Sequence, residues 1–172
     1  MSLNRGVAAL GAVAVVGVAT LGWSIPLAHH FGQPKPMVAA TSGSTWKQFA
    51  PVCWNNGDVL TQKQITSCLK DLAKAQAGGK DTPTLEVAQN GTFMINTNED
   101  IAAKGWYAQV PGQQQPVGLF SRTTNQQVGN IPLAAALQAS QTGSAPVTVV
   151  ESDDSGKQIY GVWTFVVKQQ GS

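Results

Sequence analysis

The sequence predicts a membrane-anchored, mainly β protein: a single N-terminal transmembrane helix, then an antiparallel β-sandwich of immunoglobulin-like kind with one disulfide-pinned α-helix. Three observations carry this. A stretch without charge opens the chain, two cysteines bracket the start of a segment with helical spacing, and period-two alternation broken by turn residues fills the remainder. The boundaries read from these signals are an anchor over 1–27, a juxtamembrane linker over 28–45 and an extracytoplasmic β-rich domain over 46–172.

Gly6 to Ile25 reads GVAALGAVAVVGVATLGWSI, twenty residues with no charge. At about 1.5 Å per residue such a helix spans about 30 Å, the thickness of a bilayer core. Arg5 and the amino terminus precede it, which by the positive-inside rule places the N-terminus in the cytoplasm and the domain outside, in the plasma membrane. Pro26 ends the segment. The competing reading is a cleaved signal peptide, which the charged start and the Ala/Val/Gly-rich core also fit. The stretch exceeds the usual apolar core, however, and the best small-residue site, Val38-Ala39-Ala40, lies well beyond it. At 100° per residue Ala8, Gly11, Ala12, Ala19 and Gly22 share one side, a small-residue face on which another membrane helix can pack closely. The linker carries His29-His30, read as a solvated pair because no third ligand accompanies it.

Cys53 and Cys68 are the only cysteines. Their spacing fits no zinc, haem-attachment or redox motif, so in an oxidising compartment they read as one disulfide. Thr61 and Gln64 have capping-box spacing, followed by Ile65, Cys68, Leu69, Leu72 and Gln76 at helical intervals. This predicts a helix over about 62–77 whose apolar stripe, including Cys68, faces the core. Gly78-Gly79 ends it.

Beyond Thr82-Pro83, Leu85 and Val87 alternate with polar residues, Asn90-Gly91 signals a hairpin, and Phe93 and Ile95 follow as inward positions. Glu99 to Lys104 suits one helical turn. Strands are expected over 105–110, 117–121, 147–151 and 159–168, the last two joined by the turn-forming Ser-Asp-Asp-Ser-Gly. Ile131 to Gln138 suits either a short helix or an edge strand. Trp106 and Trp163 are the expected core anchors.

Charged residues make up only 12% of the chain, and Arg5 is one of the 11 basic ones, which leaves 10 against 9 acidic beyond Gln33. A nearly neutral domain without a basic stripe argues against nucleic-acid partners. No nucleophile elbow, phosphate loop, dinucleotide fingerprint or metalloprotease helix is present. Both histidines precede the domain, and the paired carboxylates Glu99-Asp100 and Asp153-Asp154 are adjacent within turns, where they seldom converge on one substrate. The expectation is a protein with no catalytic residues, no cofactor and no metal. Trp46, Trp54 and Tyr107 are the candidate partner or ligand surface.

The Pro-Val-Cys-Trp segment at 51–54, Cys68, the Ile95…Ile101…Gly105-Trp106 stretch and the ending Gly161-Val162-Trp163-Thr164-Phe165-Val166-Val167 resemble a family of actinobacterial anchored envelope proteins of unknown function, over about 49–168. Anchored proteins of this kind resemble accessory subunits of the actinobacterial respiratory supercomplex, in which a cytochrome bc complex is joined to a cytochrome oxidase. The resemblance implies a non-catalytic subunit that stabilises or assembles the complex from its outer face, bound to other subunits through its helix and its domain. The alternative is an envelope module binding a glycan, lipid or peptide.

Overall fold

The computed structural model describes residues 34–77, 82–120, 124–140 and 143–171. The anchor, its packing residues Ala8, Gly11, Ala12, Ala19 and Gly22, and His29-His30 lie outside the described residues. Among the described residues, no helix is long and apolar enough to cross a membrane.

The described residues form ten strands and three helices, in order: β1 Val38–Ser42, β2 Thr45–Phe49, β3 Cys53–Trp54, α1 Gln62–Ala77, β4 Thr84–Val87, β5 Thr92–Asn96, α2 Glu99–Lys104, β6 Trp106–Gln109, β7 Val117–Phe120, β8 Gln127–Pro132, α3 Leu133–Ser140, β9 Ser144–Ser152 and β10 Ile159–Gln169. They form a four-stranded sheet, β2-β1-β5-β8, and a six-stranded sheet, β3-β10-β9-β6-β7, with β4 also on β10. All pairings are antiparallel except β4 on β10.

Alternation explains the layering. Val38, Ala40, Phe93 and Ile95 of one sheet and Ala145, Val147, Val149, Trp163, Phe165 and Val167 of the other enter a single buried cluster. The Phe49 and Phe165 rings, one from each sheet, stack with centroids 4.3 Å apart. Trp106 and Trp163 are buried as anticipated. Each also satisfies its indole N–H, Trp106 donating to the Asn125 carbonyl at 2.9 Å and Trp163 to that of Pro36 at 3.0 Å. Strand β10 is central, with β9 along one edge. Its other edge is divided between β3, at Gly161 and Val162, and β4, at Val166 to Gln169.

Several expectations are corrected. The folded unit starts before residue 46: β1 falls within the stretch read as linker, and Val38 and Ala40 are fully buried. Asn90-Gly91 does make a turn, with Gly91 N–H donating to the Ala88 carbonyl at 2.8 Å. The turn does not close a hairpin, because β4 joins β10 in the larger sheet and β5 joins β1 and β8 in the smaller. Local turn chemistry favours reversal, but the inward pairs Leu85/Val87 and Phe93/Ile95 are each buried against strands distant in sequence. The ambiguous segment resolves as helix α3 from Leu133, after an unforeseen strand, β8.

Candidate functional site

The disulfide joins Cys53 and Cys68, with Cα atoms 5.7 Å apart. The capping box is formed as read: Thr61 N–H donates to Gln64 Oε1 at 2.8 Å, and Gln64 N–H to Thr61 Oγ1 at 3.3 Å. The apolar stripe of α1 is less buried than its periodicity implied. Ile65 and Cys68 pack with Cys53, Leu60, Val162, Val52 and Ile159 in a satellite cluster separate from the main core, while Leu69 remains 43% exposed. The helix therefore rides on the sandwich, clasped by the disulfide.

At the end of the sandwich near α1 lies a feature the sequence reading missed. Glu151 of β9 is 1% exposed and meets Lys104, the last residue of α2, with Nζ to Oε1 at 3.2 Å. Lys104 also donates to the Gly57 carbonyl at 3.1 Å and lies 4.5 Å from the Tyr160 ring and 5.9 Å from that of Trp54. Gly161 leaves room for this: a Cβ there would overlap the Trp163 ring and stand 3.1 Å from Glu151 Oε2. Burial pushes the Glu151 carboxyl above its ordinary range, against the opposing pull of Lys104. Glu151 Oε2 and Trp54 Nε1 are buried without a hydrogen-bond partner among the described residues. The only sequence signal was a glutamate closing an otherwise apolar strand, which reads equally well as a strand end.

Of the paired carboxylates, Glu99 and Asp100 open a helix and Asp153 binds backbone amides. Asn98 caps α2, its Oδ1 accepting from Ile101 N–H at 3.1 Å, which places Glu99 and Asp100 in the first helical turn. Asp153 closes the β9–β10 loop, with Oδ1 accepting from Lys157 and Gln158 N–H at 2.9 and 3.0 Å and Oδ2 from Ser155 Oγ at 2.7 Å. These bonds hold its carboxyl below the usual carboxylate range, the Gln158 N–H contributing most. Among the described residues, no group of three His, Cys, Asp or Glu could hold a metal ion.

The three surface aromatics do not converge. Trp46 lies on the outer face of the smaller sheet and is 59% exposed. Trp54 and Tyr107 belong to the larger sheet, both half-buried. Trp54 shares a cross-strand row with Gly161, Glu151 and the inward Trp106, whereas Tyr107 shares one with Val150, Val162 and Cys53 on the outer face. Two residues further along β6 on that face, Gln109 borders a groove of about 440 Å³. Gln113, Gln114, Gln115, Pro116, Pro146 and Thr148 complete most of its wall. Its loop is seated tightly, because Gly112, at φ +80°, approaches the Ala135 carbonyl so closely that no Cβ would fit. Amides, a hydroxyl and proline rings bind neutral polar groups but exchange no protons near neutrality.

Comparisons with protein-family models, curated proteins and solved structures give no match for this chain.

Proposed function

We propose that this chain is a non-catalytic accessory subunit of a membrane complex, its outer domain serving as an immunoglobulin-like docking module. The observation that carries the reading is the groove beside β6, preformed by the Gly112 contact and walled by side chains without charge. The anchor read in the sequence supplies the membrane tether, and the resemblance described above points to the actinobacterial respiratory supercomplex as the assembly it stabilises. Glu99, Asp100 and Asp153 support the non-catalytic role through their use in a helix start and a loop closure. Gentle solubilisation of native membranes followed by native electrophoresis tests the proposal. Co-migration with the oxidase-containing complex is expected, together with weakening of that complex when the chain is deleted. Migration alone, beside an intact complex, refutes it.

A further inference from the structure

Two cross-strand rows of outward positions run across the smaller sheet. One runs from Trp46 through Thr41 to Met94 and on to Gly129, where a Cβ would stand 3.0 Å from Met94 Sδ. The other runs Gln48, Ala39, Asn96 and Gln127. Four strands spaced about 4.8 Å apart make a platform about 14 Å wide. None of these positions is charged.

Single exposed apolar side chains are ordinary on protein surfaces. What distinguishes Trp46 is its surroundings. Met94, two strands away in the same row, is 38% exposed. Between them Thr41 Oγ1 is buried with no hydrogen-bond partner among the described residues, an unmet bond that a ligand hydroxyl would complete. Beside this row the three amides of Gln48, Asn96 and Gln127 each offer both donors and an acceptor.

From this we infer that the outer face of the four-stranded sheet is a binding site for a neutral glycan. A pyranose ring has an apolar C–H face that stacks on an indole and a rim of hydroxyls that donate and accept together, as the amide row does. Charge matching selects a neutral ligand: the one cation on these strands, Lys47, pairs with the inward Ala40 and donates to the Thr84 carbonyl at 2.8 Å, away from both outward rows. Two apolar side chains within a polar field are too little for the apolar centre of a stable protein interface or for lipid tails. Met94, with three rotatable bonds, can turn to admit a hydroxyl to Thr41. The inference does not rest on the docking reading, which uses the opposite sheet.

The test uses the full chain labelled with 5-fluorotryptophan, in a detergent without a sugar headgroup. It is titrated to millimolar concentration with maltohexaose, cellohexaose, mannohexaose and a β-1,3-glucan hexamer, alongside an anionic oligogalacturonide. The 5 tryptophans give separate fluorine signals, and Trp46 is assigned by its loss in Trp46→Phe. At least one neutral sugar is expected to shift the Trp46 signal and leave Trp106 and Trp163 in place. Trp46→Ala should weaken that binding about tenfold, and Asn96→Ala should weaken it with the fluorine signals of the core unchanged. Absence of a Trp46 shift with every neutral sugar overturns the inference. So does binding that survives Trp46→Ala, or a preference for the anionic sugar.

Discussion

Replacing both cysteines, Cys53→Ala with Cys68→Ala, tests how α1 is held. The bond closes a loop of sequence separation 15, worth about 3 kcal/mol in the chain-entropy model. Where that loss appears is set by packing. Cys53, Leu60 and Val162 form a satellite cluster apart from the main core, and Ile65 and Cys68 only lean on it. A helix of 16 residues is marginal in water by itself. The loss should therefore fall on α1, raising its opening equilibrium roughly a hundredfold, at about 1.4 kcal/mol per factor of ten. Hydrogen exchange resolved by residue, with near-ultraviolet dichroism as a monitor of the buried tryptophans, is the assay. The expected result is faster exchange over 62–77, with strands β9 and β10 still protected and the Trp106/Trp163 signal retained. Unchanged exchange in α1, or loss of helix and sandwich in one transition, would refute the clasp.

Other expectations follow from single contacts. Gly161→Ala sets a Cβ into the Trp163 ring, with Cζ3 at 2.7 Å, and should cost about 1–3 kcal/mol in urea unfolding. Because Glu151 has its pKa raised by burial, the fold binds its proton more tightly than the unfolded chain does. Its contribution is full below the ordinary carboxylate pKa and declines as pH rises through the folded value. Lys104→Met should thus cost about 2 kcal/mol at pH 7, below the range for a fully buried pair because Lys104 is about a third exposed, and less at pH 5. Denaturant titrations at both pH values check the sign. Asp153 has the opposite shift, so its contribution is present above the unfolded pKa and fades as pH falls through the folded one. Carbon-detected NMR should show its carboxyl titrating below those of ordinary aspartates, and Asn substitution should loosen the Lys157 and Gln158 amides.

Features written in local chemistry were legible in the sequence. The capping box at Thr61 and Gln64, the start of α1, the β9–β10 hairpin and the two core tryptophans follow from spacing and alternation within one segment. Features decided between distant segments were not. Strand β1 reads as a proline-flanked linker because its apolar content is only Val38 and two alanines, yet Phe49, Ile95 and the larger sheet bury it. The Asn90-Gly91 turn has the residues of a hairpin, and only the sheet partners show that it crosses between layers. The candidate surfaces were half visible. Trp46 was singled out by type, but the amide row beside it exists only through pairing among β2, β1, β5 and β8. The groove needed the contact of Gly112 with α3, and the Glu151–Lys104 pair needed β9 to meet the end of α2.

The docking role is tested most directly by placing a photoreactive benzoylphenylalanine at Gln114, on the exposed wall of the groove, and irradiating native membranes. The expected product is a single adduct with a subunit of the respiratory complex, lost when the groove is closed by Gln109→Trp. Gln114 left uncrosslinked in membranes where that complex is intact would contradict the account.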